Sequence, residues 1–208
     1  MNERSTYTRR ALLGTAAAAA AGVAASVPGM AAAGSGEDDQ MVASDTLKLV
    51  DEQGRQRFLA SSTKPPVIID GQVIPASQRQ GDEHATWLIF NEDQGSERGG
   101  IVAAATAAQL SLDFANAQAI TLGTEWQGKS GLAAVTFNQM PDPALPIEQV
   151  TSVPQRAALG WTSGFGAFLS LNDSNGRTRI LLQVDEQDVP RIQILDGQGK
   201  VVVQFPPG

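Results

Sequence analysis

Leu169-Ser170-Leu171-Asn172-Asp173-Ser174-Asn175-Gly176-Arg177-Thr178-Arg179-Ile180-Leu181 reads as a complete β-hairpin, and it decides the fold. Apolar residues alternate into Asp173, which suits the first position of a type I turn because its carboxylate accepts backbone N–H groups there. Gly176, three residues on, supplies the positive φ that closes the hairpin. The same text occurs without gaps from Leu47 to Leu59, with Asp51, Gly54, Arg55 and Arg57 standing where Asp173, Gly176, Arg177 and Arg179 stand. A third copy, Ile192 to Lys200, keeps Asp196, Gly199 and a basic residue. Phe90 to Arg98 keeps Gly95 and Arg98 in looser form. A repeated supersecondary unit cannot bury its hydrophobic face alone, so the copies must share one core.

From Thr46 onward the whole chain has this texture, short alternating runs punctuated by Gly, Asn and Asp. It predicts one all-β domain over residues 45–208, of about a dozen short antiparallel strands in five or six hairpins. Hairpins that are hydrophobic on one face must hide that face and their edges, which predicts closure into a barrel, a propeller-like ring or a sandwich. The texture breaks between Pro141 and Gly166, where Pro141, Pro143, Pro146 and Pro154 restrict the backbone. A connector is expected here, with a short helix or two helical turns over Ile147 to Leu159. Trp161, Phe165 and Phe168 then anchor it on the core, with the lining of a groove as the alternative.

Upstream, Thr8-Arg9-Arg10-Ala11-Leu12-Leu13-Gly14 and an alanine-rich apolar run to Val27 read as a twin-arginine export signal over residues 1–33. Ala31-Ala32-Ala33 supplies small residues for cleavage after Ala33. Residues 34–44, small and acidic, are expected to be a flexible linker. The expected location is therefore periplasmic or secreted, with no membrane span after signal cleavage.

Composition narrows the classes of function. Removing residues 1–33 leaves 12 basic and 21 acidic residues, a net charge of −9 against −7 for the whole chain. No cluster of Lys and Arg follows Arg10, which argues against nucleic acid and anionic membranes as partners. The absence of cysteine removes disulfides, thiolate metal sites and cysteine nucleophiles.

The motifs that suggest chemistry have simpler explanations. Turn geometry accounts for Asp51, Asp173 and Asp196 without a catalytic or calcium-binding role; a helix-loop-helix calcium loop would need an oxygen ligand where Leu171 stands. The arginines Arg55, Arg57, Arg177 and Arg179 read as a solvated face that protects strand edges. Gly123-Thr124-Glu125-Trp126-Gln127-Gly128-Lys129-Ser130 satisfies the phosphate-binding pattern G-x-x-x-x-G-K-[ST]. Yet Gly131 to Phe137 reads as the second strand of a hairpin, not as the helix whose N-terminal amides would hold a phosphate. His84, the only histidine, lies in a polar loop, and Ser163 sits in a loop that does not satisfy G-x-S-x-G. A glycosidase built on two carboxylates stays open, because such a pair leaves little trace in sequence.

The order of short motifs also resembles a widespread family of exported bacterial proteins with repeated D-x-x-G hairpins. It runs from Arg57 to Ser61 and Pro66 to Gly71 through Phe90 to Ile101, then Leu110 to Phe114 and Ser130 to Val135, and ends at Ile192 to Phe205. The resemblance covers most of the chain after the signal and implies the hairpin order. No activity, ligand or catalytic residue is established for that family, so none transfers. The chain departs from it at Ala103 to Ala108, which replace a glycine-rich polar loop.

No catalytic, cofactor-binding or metal-ligating residue is assigned from sequence, and no cofactor is expected. The leading expectation is a non-enzymatic binding or interaction module of the cell envelope, its partner an envelope protein or a glycan. A carboxylate-dependent hydrolase acting on glycans and a self-assembling structural protein are the alternatives, with a homo-oligomer open in each case.

Overall fold

The computed structural model describes residues 44–207. The twin-arginine segment, its cleavage position and linker residues 34–43 lie outside the described residues. Fourteen strands follow in chain order. They are β1 (Thr46–Val50), β2 (Gln56–Ser61), β3 (Val67–Ile69), β4 (Gln72–Ile74), β5 (Thr86–Asn91), β6 (Glu97–Ala103), β7 (Ala107–Asp113), β8 (Gln118–Gln127), β9 (Ser130–Asn138), β10 (Gln155–Thr162), β11 (Gly166–Asn172), β12 (Thr178–Val184), β13 (Pro190–Leu195) and β14 (Val201–Phe205).

Twelve of them form one antiparallel meander, β1-β2-β5-β6-β7-β8-β9-β10-β11-β12-β13-β14, while β3 and β4 pair only with each other. The all-β expectation and its dozen strands hold. The barrel does not: the sheet forms no closed barrel, and β1 and β14 are its two edges.

The repeated turn acts as its residue types require. Asp173 Oδ1 accepts the backbone N–H groups of Asn175 and Arg177 at 2.9 and 3.1 Å, and Gly176, at φ 77°, donates to Asp173 O. Asp51 and Asp196 make the same pair of bonds. Glu92 makes the equivalent pair with its two carboxylate oxygens.

A one-residue register shift accompanies every second hairpin. The extra residue is Arg57, Arg98, Ala119, Arg156, Arg179 or Val202 in turn. Such bulges raise the local twist, and here they recur at one end of the sheet.

Register separates the two faces. Leu88, Ile101, Leu110, Leu122, Val135, Leu159, Leu169, Leu182, Ile192 and Phe205 form one row of directly opposed residues. Leu49, Phe58, Phe90, Gly99, Leu112, Ile120, Phe137, Ala157, Leu171, Ile180, Ile194 and Val203 form a second row on the same face. A third runs from Thr86 through Trp161 to Pro190. None of the three contains a charged residue.

Across the middle strands the opposite face is small and polar. Its central row is Gly100, Ser111, Thr121, Thr136, Ala158 and Ser170, all buried. The β3–β4 hairpin covers this face at one end of the sheet, where Val67 and Ile69 pack with Leu59 and Ile89. Ala85, Trp87 and Val102 form a second buried cluster.

Three expectations are corrected. Instead of a helix over Ile147 to Leu159 there is a single 3-10 turn, Ile147–Gln149, and β10 begins at Gln155. Pro154 has no N–H to donate and drives Val153 out of helical geometry, while β9 and β11 pair β10 on both sides. Second, Trp161 does not anchor the connector. It stands in β10 on the apolar face, 46% exposed, and the connector is instead held by Asn116, whose Nδ2 donates to Asp142 O and Leu145 O at 2.9 Å.

Third, the solvated-face reading is incomplete: Arg177 and Arg179 are exposed, yet each also bonds the next hairpin. Arg179 Nε donates to Leu195 O at 2.8 Å, and Arg156 Nε to Asn172 O at 3.3 Å. Each acceptor immediately precedes the turn acid of the next hairpin. Arg177 reaches Gly197 O at 2.9 Å, and Arg55 pairs with its own turn acid, Asp51. An arginine within the sheet has carbonyls of a neighbouring hairpin within reach, so it bridges where an edge arginine would only be solvated.

Candidate functional site

A cavity of about 260 Å³ lies between the β3–β4 hairpin and the polar face of the main sheet. Asp70 and Gly71, both at positive φ (49° and 70°), make the two-residue turn that folds β3 back on β4. Gly71 N donates to Ser96 Oγ at 3.3 Å, tying the turn to the start of β6. At the other end Lys64 Nζ binds the Glu83 carboxylate at 2.6 Å and Arg79 O at 3.2 Å. The Arg79 guanidinium donates to Pro65 O and lies 4.6 Å from the centre of the Trp87 ring. The segment is thus fixed by apolar packing on one side and cation-bearing side chains on the other.

Four carboxylates line the cavity: Asp70, Glu97, Asp113 and Glu148. The amides of Gln72, Gln78, Gln80 and Gln118, the Ser111 hydroxyl and Arg79 add paired donors and acceptors over a floor of Val67, Ile69, Ile74 and Ile147. Amides and carboxylates beside an apolar floor suit a small ligand rich in hydroxyl or ammonium groups. Among the described residues no group of three or more His, Asp or Glu is placed to hold a metal ion.

The residues singled out from sequence lie elsewhere. Gly123 to Ser130 spans the end of β8 and its hairpin turn; Gln127 pairs with Ser130 across Gly128-Lys129, and no helix follows. The phosphate-loop pattern is therefore a hairpin. His84 is exposed in a loop, its backbone N–H donating to Asp82 Oδ1. Ser163 Oγ accepts the N–H of Gly131 at 2.8 Å, a loop-to-strand tie.

The turn acids are pushed below the ordinary carboxylate range. In Asp173 the leading cause is the backbone N–H of Arg177, in Asp185 that of Val189, and in Asp196 that of Lys200. For Asp51 and Glu92 desolvation is the largest influence and acts upward, but backbone N–H groups and nearby arginine charge together outweigh it. These carboxylates are committed to their turns.

Two features escaped the sequence. The turn at Asp185 copies the repeat, its Oδ1 accepting from Gln187 N and Val189 N, but Asp188 at φ 60° takes the glycine position and hides the match. The cavity carboxylates come from β6, β7 and two connecting segments, so no local pattern links Glu97, Asp113 and Glu148. Compared with protein-family models and with curated proteins, the chain matches none of either.

Proposed function

We propose that this protein is a non-enzymatic binding module of the cell envelope that takes a small glycan in the cavity beneath the β3–β4 hairpin. The observation that carries this reading is the lining: amides and carboxylates converge on one cavity from the hairpin, the 3-10 turns and the main sheet. Its volume of about 260 Å³ sits at the small end of ligand pockets, which suits a single sugar ring. The acidic excess over a single Arg79 favours an amino sugar. Export by the twin-arginine route and kinship with exported proteins of repeated D-x-x-G hairpins belong to the same reading.

Thermal-shift and saturation-transfer measurements against mono- and disaccharides, amino sugars included, test it. Binding that is lost in Gln118→Ala and Asp113→Asn supports the cavity; no sugar bound at any concentration removes it. The second reading, a carboxylate-dependent hydrolase, is favoured by one observation, that Glu97 and Asp113 both line the same cavity. For such an enzyme Glu97→Gln and Asp113→Asn would each abolish turnover by orders of magnitude, whereas a binding module releases no reducing sugar at all.

A further inference from the structure

Seventeen of the 25 large apolar side chains exposed among the described residues project from one face of the sheet. They keep between 36% and 67% of their surface, from Ile180 to Phe205, and include Leu47 on β1, Leu159 and Trp161 on β10 and Val203 on β14. Together they leave on the order of 1,500 Å² of contiguous apolar surface, where the largest patch of a monomer is roughly 300–600 Å².

The geometry points to a second copy of this chain as the occupant of this face. Two such faces pressed together would remove on the order of 3,000 Å² from water, within the range of obligate homodimers. Charge agrees. The chain carries −7, so two copies repel, yet none of the three rows holds a charged residue, and contact through this face brings no like charges together. A lipid interior fits less well. Three rows two residues apart span roughly 14 Å along the strands, against an apolar band of about 25 Å in membrane barrels. Both sheet edges also carry unpaired backbone groups that hydrocarbon does not tolerate. Face-to-face association hides the apolar surface that the open sheet leaves uncovered and turns both cavities outward. It does not depend on the cavity's ligand, because the cavity lies on the opposite face.

Sedimentation equilibrium of the full chain over a wide concentration range tests this. The expected mass is twice 21.8 kDa. Leu159→Glu combined with Leu182→Glu returns it to one chain while the near-ultraviolet signal of the tryptophans persists. Val73→Glu, at a still more exposed apolar position on the separate β3–β4 hairpin, leaves the mass unchanged. Should the double variant fail to fold, Leu159→Cys and Leu182→Cys in this cysteine-free chain are treated with a bifunctional thiol reagent. Covalent dimers are expected from them and none from Val73→Cys. A single-chain mass for the unaltered protein overturns the proposal, whether the N-terminal segment or lipid covers the face. So does an open-ended ladder of masses, a mass that survives the paired glutamates, or a failure of both face cysteines to cross-link.

Discussion

Around β2, β5 and β6 the side chains of Leu59, Trp87 and Ile89 keep 3%, 1% and 1% of their surface. Across β12 to β14, on the same face, Leu181, Gln193 and Gln204 stay only half-buried, and on the other face Leu182, Ile194 and Val203 keep 39%, 44% and 54%. The hairpins are built alike in both regions, with the same acid-led turn and the same one-residue bulge. What differs is cover. The first region has Val67 and Ile69 of the β3–β4 hairpin laid on its polar face, while among the described residues no large side chain after Ala158 is buried. The repeat therefore sets strand pairing, and burial is supplied by whatever is laid against the sheet.

The sharpest way to break this comparison is to hollow the covered region. Trp87→Ala should cost about 4 kcal/mol in urea denaturation, the scale of a fully buried aromatic. A loss below about 1 kcal/mol would mean the core is elsewhere. Gly166 and Gly54 sharpen the role of the repeat itself. Both have positive φ, 90° and 79°, but a Cβ on Gly166 would stand 2.1 Å from Val184 O while one on Gly54 meets nothing within 4 Å. Gly166→Ala should cost more than about 2 kcal/mol, combining strain with a backbone clash, and Gly54→Ala about 1 kcal/mol from strain alone. Equal effects in the two variants would show that the close pairing of β11 with β12 is not as described.

Acid should act on both regions alike, because each contains turn acids held below their ordinary values. A carboxylate whose folded pKa is depressed contributes stability above its unfolded value and loses it as pH falls through the folded value. For Asp51, Asp173, Asp185 and Asp196 the unfolded value is near 3.8 and for Glu92 near 4.5. The melting temperature should be flat above pH 5 and fall steadily below about pH 4. Replacing Asp173 and Asp196 with Asn together should shallow that fall. The smallest expected effect is Asp188→Gly, which relieves a φ of 60° and should raise the melting temperature by a degree or two.

Much of this was legible beforehand because it is local. The Asp and Gly of each turn lie three residues apart and report their own backbone geometry, so the hairpins over Leu47 to Leu59 and Leu169 to Leu181 were readable, as was the false phosphate loop at Gly123 to Ser130. Glu92 was half legible, since its longer carboxylate reaches the same N–H groups as Asp. What depends on distant strands was not. The helix expected over Ile147 to Leu159 yielded to pairing of β10 with β9 and β11, and Trp161 went to a sheet face instead of the connector. Arg156 and Arg179 find their acceptors 16 residues along the chain, and the cavity acids Glu97 and Glu148 are brought together only by the fold. Closure into a barrel, ring or sandwich would answer the need to hide one hydrophobic face, and that need survives in a sheet that stays open.

The most direct measurement of whether the apolar face is covered is the rate at which a thiol reagent modifies Leu182→Cys in the native full chain, compared with Val73→Cys. The two positions are 39% and 65% exposed in a single chain, so in an isolated molecule their rates should be of similar order. The expected result is slow modification at Leu182→Cys, rising on dilution, beside fast modification at Val73→Cys at every concentration. Comparably fast modification at both, independent of concentration, would contradict a covered face.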